Sequence, residues 1–477
     1  MFFNSIDFAI FFPIVFILYW LVFNKNLKYQ NVFLLIVSYV FYGWWDWRFL
    51  GLIMFSSFID YFVGIALEKN IPQNKRKIFL IVSLIVNLGL LGVFKYYNFF
   101  IDNLQSAYTL FGSELNLTTM NIVLPVGISF YTFQTLSYSI DVYRRKIKHS
   151  NDIIAFFSYV AFFPQLVAGP IERAKNLLPQ FSKKRVFSDS NASDGMRQIL
   201  WGLFKKIVIA DNCAIYADQM FNNPESFQGI TLILGAIYFA IQIYCDFSGY
   251  SDIAIGTAKL LGFKLMINFR NPYFSRDIGE FWRRWHISLS TWFRDYLYIP
   301  LGGSRGTKLK QIRNVFVIFL VSGFWHGANW TFIAWGFLNA LYFLPLMLIG
   351  KNRKNLDNVA EGKLFPHSKE ALQIFITFFL TVFAWIFFRA KDITSAFEYI
   401  YLTFANFNLR VESETGMKLI PIIILLFGIE WLQRRKEHSL DIKHLHTYLR
   451  WCIYLILILI TISLGKYENQ SFIYFQF

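Results

Sequence analysis

Apolar segments long enough to cross a lipid bilayer recur along almost the whole chain, and they constrain its fold more than any other feature. The 477 residues are 56% hydrophobic and only 16% charged, a composition that water-soluble domains do not have. Inside a membrane only helices and closed barrels satisfy their backbone hydrogen bonds, and uninterrupted apolar runs of this length indicate helices. The sequence therefore predicts an all-α, polytopic membrane protein with a single domain over residues 1–477.

Short basic segments separate the apolar runs and predict the topology. Lys25 and Lys28 follow the first run, residues 8–23, so the positive-inside rule places the N-terminus outside the cytoplasm. The further runs cover residues 32–44, 50–67, 78–94, 122–140, 196–216, 229–246, 315–325, 330–349, 372–388, 419–431 and 449–464. This pattern predicts about twelve spans, with boundaries that sequence fixes only loosely.

Three stretches depart from the simple pattern of spans. Residues 153–168 are apolar but short, with basic residues on both sides, so we expect a re-entrant segment buried in protein. Residues 96–120 are polar and nearly free of Lys and Arg, which predicts a loop outside the cytoplasm. Residues 263–313 are strongly basic and predict amphipathic pieces at the cytoplasmic surface. Because the net charge of +16 is spread over such segments, we expect membrane lipid and not nucleic acid as the basic residues' partner.

His326 follows the apolar run that begins near Val315. At about 1.5 Å per residue, a helix would carry it roughly 15–20 Å into the bilayer, whose hydrocarbon core is about 30 Å thick. An ionisable side chain at that depth is costly and indicates function, and histidine is suited to move a proton near neutral pH. The alternative is a helix-end histidine that hydrogen-bonds a neighbouring carbonyl group.

Two carboxylates, Asp246 and Asp252, lie in the motif YCDFSGYSD at residues 244–252. We expect a helix break at this motif and a structural plug of paired polar side chains, in preference to a catalytic role. No metal site is predicted, because the three cysteines are scattered and the histidines His286 and His326 have no further ligand at helical spacing.

Arginines alternate with aromatic residues between residues 281 and 300. Such a pattern is typical of an amphipathic helix at the lipid headgroups. It also fits a basic rim that receives a phosphate-bearing acyl donor, since arginine binds phosphate oxygens well. The candidate donor-binding residues in this stretch are Arg283, Arg284, Arg294 and Trp285. Trp325, which precedes His326, is a further candidate.

A transferase gives these residues coherent roles. A hydroxyl group needs a base before it can attack, and a buried, neutral His326 would supply one. The carbonyl oxygen of a thioester then needs a hydrogen-bond donor, for which Asn329, Ser322, the Trp325 indole or a protonated His286 is a candidate. A transporter and a scaffold for a partner enzyme are the alternatives, and the scaffold predicts that replacing His326 has no effect.

The motifs FWRRWHISLSTWFRDYLYIPLGG at residues 281–303, SGFWHGANW at 322–330 and WG at 335–336 resemble the signature of the membrane-bound O-acyltransferases. The branch they resemble contains the bacterial alginate and peptidoglycan O-acetylation subunits and the teichoic-acid D-alanyl transfer protein. Further similarity lies at residues 124–133, 163–172, 244–252 and 472–477, so the resemblance covers nearly the whole chain.

The resemblance implies that His326 is the family's essential histidine and that His286 is the second histidine near it. It implies roughly eleven spans around a central tunnel or funnel, in agreement with the count above. It also implies a protein of the bacterial cytoplasmic membrane with no bound cofactor. Acetyl-CoA or another acyl thioester, including one on an acyl carrier protein, would be the cytoplasmic donor.

On the far side of the membrane, the resemblance implies a hydrolase-like acyltransferase partner. The acceptor is expected to be an envelope polysaccharide such as alginate or peptidoglycan, with D-alanyl transfer to teichoic acid as the alternative. The aromatic ending at residues 472–477 contains Tyr474, whose hydroxyl is predicted to relay the acyl group outward. The alternative for this ending is an aromatic anchor at the membrane interface.

Overall fold

The fold is all-α, as the sequence predicts. The computed structural model describes residues 1–115, 117–167, 169–405, 407–409, 415–467 and 472–473, and these contain helices and no β-strand. The chain divides into two compact units, Met1–Ala192 with Thr257–Met266, and Ser193–Gly256 with Ile267–Phe477. The single domain over residues 1–477 stays a prediction.

The first part of the chain consists mainly of antiparallel apolar helices. Their bounds are α1 Ile6–Ile17, α2 Leu27–Gly43, α3 Leu50–Glu68, α4 Gln73–Leu91, α5 Tyr97–Leu110, α6 Ile128–Tyr143, α7 Ile153–Ala161, α8 Phe163–Leu166 and α9 Ala174–Phe181. Two π-helical turns extend or join them, at Leu18–Val22 and Gly92–Tyr96.

The remaining helices carry the motifs singled out above. Their bounds are α10 Asp189–Leu203, α11 Asp211–Asn222, α12 Ile230–Leu260, α13 Ile278–Arg284, α14 Ile287–Phe293, α15 Lys308–His326, α16 Trp330–Leu348, α17 Ser368–Arg389, α18 Ile393–Ala405, α19 Ile420–Leu432 and α20 Thr447–Leu464. A π-helical segment, Phe204–Ala210, joins α10 to α11, and a second, Arg294–Tyr298, follows α14.

Among the described residues, six helices are long and apolar enough to cross a membrane. They are Trp47–Glu68, Gln73–Leu110, Ile230–Leu260, Trp330–Leu348, Ser368–Arg389 and Thr447–Leu464. Shorter apolar helical stretches lie at Ile6–Val22 and Ile153–Leu166. These helices confirm a polytopic membrane protein, while the predicted number of spans and the central tunnel stay predictions.

The polar segment at residues 96–120 is not a loop throughout, and that prediction was wrong. The helix that starts at Gln73 continues through a π turn to Leu110, which gives 38 helical residues. The sequence has neither glycine nor proline between Gly92 and Gly112, so nothing stops the helix before Gly112. At about 1.5 Å per residue this helix is longer than a bilayer core is thick, and none of the α5 residues is buried.

Residues 122–140 form a shorter helix than predicted, because α6 begins only at Ile128. Pro125 and Gly127 precede it, and Gly127 has a φ of 76°, which favours glycine. A side chain at Gly127 would approach the Leu166 carbonyl oxygen to 2.9 Å. The predicted re-entrant segment is therefore packed against this turn, and it is broken at Phe162 between α7 and α8. Its re-entrant path stays a prediction.

The predicted helix break at residues 244–252 is wrong, because α12 runs without interruption through the whole motif. The glycine of this motif, Gly249, lets α12 pack closely against a neighbouring helix instead. A side chain at Gly249 would lie 2.8 Å from the Gly202 carbonyl oxygen, and one at Gly202 would lie 2.6 Å from that of Gly249. Small residues of this kind let two helix backbones approach closely within a membrane.

Candidate active site

The α15–α16 hairpin confirms the predicted pair of helices and places His326 at its tip. His326 is the last residue of α15, Gly327 continues in extended backbone, and Asn329 caps α16. Gly323 packs directly on the carbonyl oxygen of Phe332 in α16. The tight crossing fixes the end of α15 and therefore the position of the histidine.

Aromatic rings surround the imidazole of His326, which is only 4% exposed. The ring centroids of Trp325, Trp335 and Phe388 lie 4.9, 5.1 and 5.2 Å from that of His326. Trp335 belongs to α16 and Phe388 to α17, so two further helices complete the wall. The rings exclude bulk water from the imidazole, as a group that is to move a proton between reactants requires.

His286 precedes α14 in a left-handed backbone conformation with a φ of 43°, which is rare for residues other than glycine. Its Nδ1 lies 3.0 Å from Oδ1 of Asn268. The same oxygen accepts the Ser288 backbone N–H at 3.3 Å and the Ser288 hydroxyl at 2.9 Å. A backbone N–H only donates, so the Asn268 atom is the oxygen, and Nδ1 of His286 carries the proton.

Burial lowers the pKa of His286 to about 3. The imidazole is therefore neutral near pH 7, because the charged form loses its hydration when buried. With the proton on Nδ1, the Nε2 atom of His286 is an acceptor. A neutral ring does not match the predicted role of a protonated His286 as a donor to an oxyanion, and that role stays a prediction.

Trp325 connects the surroundings of the two histidines. Its ring lies 4.9 Å from that of His326 and 6.2 Å from that of His286. On another side of His286, Phe247 of α12 packs edge to face at 4.6 Å. Residues from distant parts of the sequence thus form one aromatic site, in which Trp325 is a common neighbour of both imidazoles.

A polar cavity of about 350 Å³, including its open mouth, lies beside this site. It reaches Asn268, the hydrogen-bond partner of His286, and its mouth includes Glu437 and His438. Inside it, Lys205 pairs with Asp252 at 2.6 Å. The other lining residues are Trp201, Tyr244, Ser248, Ser251, Ile255, Ile267, Phe269, Asn271, Glu430 and Ser439.

Asp246 and Asp252 are both paired with lysines of the π-helical segment Phe204–Ala210. Lys205 contacts Asp252, and Lys206 contacts Asp246 at 2.9 Å and Asp211 at 2.7 Å. A π turn inserts an extra residue into a helix, and here both consecutive lysines are buried. The two lysines within an apolar stretch were a signal for this pairing that the sequence analysis missed.

Arg283 and Arg284 hold a loop and do not lie free at a rim. Arg283 donates to the carbonyl oxygens of Asn352 and Asn355, both at 2.8 Å. Arg284 bonds Glu280 at 2.8 Å and the Asp357 carbonyl at 3.1 Å. These contacts place the basic stretch and the charged loop after α16 together.

The other two donor-site candidates of this stretch lie in contrasting surroundings. Trp285 is 1% exposed and stacks between Phe281 at 5.5 Å and Trp385 at 5.1 Å. The side chain of Arg294 is 58% exposed, and its Nε contacts Asp295 at 2.7 Å. Arg294 therefore keeps further N–H groups at the surface, where an anionic donor would approach.

Asn329 and Tyr474 complete the predicted set. The Asn329 side chain accepts from the Thr331 N–H at 3.0 Å and donates to the Lys391 carbonyl at 2.9 Å. Its oxygen caps the helix, and one N–H of its amide is used by Lys391. Tyr474 lies outside the described residues.

Trp385 of α17 is a site residue that the sequence analysis did not single out. It is 1% exposed, and its indole Nε1 has no hydrogen-bond acceptor among the described residues. Its ring stacks on Trp335 at 5.6 Å and meets Phe388 at 5.0 Å, and both of these contact His326. A buried N–H without an acceptor is costly unless another molecule supplies one.

Comparison with known families decides what kind of site this is. The model of the membrane-bound O-acyltransferase family matches residues 113–383, which is more than half of the chain and includes His286 and His326. The chain belongs to the membrane-bound O-acyltransferase family. It is therefore an acyltransferase, and the two histidines lie in the matched region of this acyltransferase.

Named relatives of the acyltransferase modify cell-envelope polymers. A probable alginate O-acetylase of Pseudomonas syringae is 38% identical over 91% of this chain and 83% of the relative. A peptidoglycan O-acetyltransferase of Helicobacter pylori is 36% identical over 81% of this chain and 76% of the relative. A teichoic acid D-alanyltransferase of Streptococcus thermophilus is 30% identical over 54% of this chain and 67% of the relative.

Proposed function

We propose that the protein moves an acetyl group from a cytoplasmic thioester across the membrane for O-acetylation of an envelope polysaccharide such as alginate or peptidoglycan. The relatives that cover most of the chain are named for O-acetylation of these two polymers. D-alanyl transfer to teichoic acid is the weaker candidate, because the relative named for it covers only 54% of this chain.

The observation that carries this proposal is the imidazole of His326 at the tip of a helix hairpin, enclosed by aromatic rings. His326 takes the proton from the attacking hydroxyl group, and the hydroxyl oxygen bonds to the thioester carbonyl carbon. The carbon–sulfur bond breaks, and the thiolate leaves with the proton that His326 had accepted. Atoms and charge balance, since one ester and one thiol form from one thioester and one hydroxyl.

His286 acts in this scheme as a neutral acceptor. Its Nδ1–H is fixed by Asn268, so Nε2 is the ring nitrogen that carries the lone pair and acts as the acceptor. Because its pKa of about 3 keeps it neutral over the physiological range, its protonation contributes nothing to a pH–rate profile between pH 5 and 8. A change of activity in that range comes from another group.

The negative charge that develops on the thioester oxygen needs a donor, and we assign this role to the Trp385 indole. Trp385→Phe keeps the aromatic packing and removes the N–H. Loss of one such donor lowers kcat by about 10²–10³-fold. Thioester turnover by the purified variant measures this, and wild-type kcat in a variant that is folded and membrane-inserted would exclude Trp385.

The donor is proposed to approach over Arg294 and the polar cavity that reaches Asn268. Arg294→Gln should raise the KM for an acyl-CoA about three- to tenfold and reduce its salt dependence, because a partly exposed phosphate contact contributes modestly. Arg283→Gln serves as the matched variant, since its contacts hold the loop at Asn352 and Asn355. Equal effects of both variants on KM would contradict a specific role of Arg294.

An extracytoplasmic hydrolase-like acyltransferase is the proposed partner for the last step, and an acyl carrier protein is the alternative source of the donor. The polymer is tested by deleting the gene and measuring ester-linked acetyl on alginate and on peptidoglycan by NMR. Loss of acetyl from either polymer supports the proposal. Loss of D-alanine from teichoic acid, with both acetyl contents unchanged, would contradict it.

A further inference from the structure

Two described residues near the C-terminus, Phe472 and Ile473, lie in the interior of the second unit. Phe472 is fully buried and Ile473 is 2% exposed. The Phe472 ring lies 4.5 Å from that of Tyr250 and 5.7 Å from that of Phe247, both on α12. Phe472 thus fills an aromatic socket on the helix that also carries Asp246 and Asp252.

A charged side chain holds the backbone at this point. The Ile473 N–H donates to Oδ2 of Asp246 at 2.8 Å. The other carboxylate oxygen, Oδ1, lies 2.9 Å from the Lys206 ammonium. Each oxygen of Asp246 therefore has its own partner, and hydrogen bonds to an ionised group are the stronger ones.

The segment is also fixed before it reaches the socket. The Lys466 N–H donates to the Ile207 carbonyl at 3.1 Å, and the Asn212 side chain donates to the Leu464 carbonyl at 2.9 Å. Ile207 and Lys206 belong to the same π-helical segment. The same π-helical segment thus binds the chain directly after α20 and supplies the lysine that orients Asp246.

The socket is next to the histidine site. Phe247, which follows Asp246 in α12, contacts the Phe472 ring on one side and the His286 ring at 4.6 Å on another. We propose that Asp246 is a positioning residue that fixes Phe472 and Ile473 beside the His286 site, so that the acyl group can be passed on. This rests on the proposed acyl transfer, and it gives Asp246 a role beyond neutralising Lys206.

Asp211 provides a matched control, because it contacts the same Lys206 at 2.7 Å, whereas the Ile473 N–H donates to Asp246. Asp246→Ala and Asp211→Ala each leave Lys206 with one carboxylate. If Asp246 only balanced charge, the two variants would behave alike. If it positions the segment, only Asp246→Ala should release Ile473.

Hydrogen exchange of the C-terminal peptide, followed by mass spectrometry in detergent, measures this release. We expect the Ile473 amide to exchange at least about tenfold faster in Asp246→Ala than in the wild type or Asp211→Ala, since a lost hydrogen bond removes its protection. Donor thioester turnover and polymer acetylation in cells should both fall at least about tenfold in Asp246→Ala but not in Asp211→Ala, because positioning contributes through reactant geometry.

The proposal would be overturned if the Ile473 amide exchanged at the wild-type rate in Asp246→Ala. It would also be overturned if exchange were accelerated equally in Asp211→Ala. Should Asp246→Ala fail to fold, Phe472→Ala tests the same segment without altering any charge, with Tyr467→Ala as its control. Tyr467 lies outside the socket and is 61% exposed. Loss of thioester turnover in both folded Phe472→Ala and Tyr467→Ala would count against the positioning role. The acyl-transfer proposal is tested separately by His326→Ala. If polymer acetylation survives in that variant, the acyl-transfer proposal fails, whatever Asp246→Ala shows.

Discussion

His326→Ala is expected to abolish polymer acylation while the protein still inserts into the membrane. The imidazole is the proposed base at the tip of the α15–α16 hairpin, and an essential base contributes about 10²–10⁴-fold in rate. The aromatic wall and the Gly323 contact that hold the hairpin do not depend on the imidazole. Ester-linked acetyl per cell, normalised to the amount of membrane-inserted protein, measures the effect.

His444→Ala is the control for this variant, because His444 is an exposed histidine in the loop before α20. It should leave acylation unchanged. Near-normal acylation with His326→Ala would support the scaffold alternative. The same partial loss of acylation in His326→Ala and in His444→Ala would likewise contradict a catalytic base at residue 326.

Tyr474→Phe is expected to abolish transfer to the polymer and, because this hydroxyl group is the one that attacks the thioester, to slow donor turnover as well. The variant keeps the ring and removes only the hydroxyl group that would accept the acyl group from the thioester. Its immediate neighbours Phe472 and Ile473 are held in the socket beside Phe247 and His286, which supports a reactive role for this segment over a purely interfacial one. Acetyl content of the polymer is the measurement.

Tyr467→Phe is the matched control, since Tyr467 is exposed and its hydroxyl donates to the Thr461 carbonyl at 2.7 Å. It should acylate the polymer normally. Full acylation by Tyr474→Phe would leave the aromatic anchor as the role of this ending. Detection of acetyl on residue 474 by mass spectrometry of the wild type would support the relay directly.

The sequence predicted the fold class and the α15–α16 hairpin because both depend on local patterns. Apolar runs and basic segments indicate membrane helices, and a polar residue at the end of such a run is visible without tertiary information. The surroundings of His286 were not predictable in this way. Its partner Asn268 lies 18 residues away across irregular backbone, and no periodicity relates the two.

Long side chains are harder to place from the sequence than helices are. Arg283 and Arg284 were predicted to bind an anion because the sequence shows that they are charged. It does not show which groups in the folded chain accept their hydrogen bonds. In the folded chain, main-chain carbonyl groups and Glu280 take up their N–H groups. The helix break at residues 244–252 failed for a related reason, since buried lysines and a close glycine crossing allow polar residues inside a continuous helix.

Thiol release from an acetyl thioester by the purified protein in detergent tests the central claim most directly, because it needs neither the partner nor the polymer. We expect the wild type to consume acetyl-CoA, or acetyl on an acyl carrier protein, and to form an acetyl ester that requires His326. His326→Ala should show at least about a hundredfold slower turnover. Equal turnover by wild type and His326→Ala, or transport of the intact donor without thiol release, would contradict an acyltransferase site at His326.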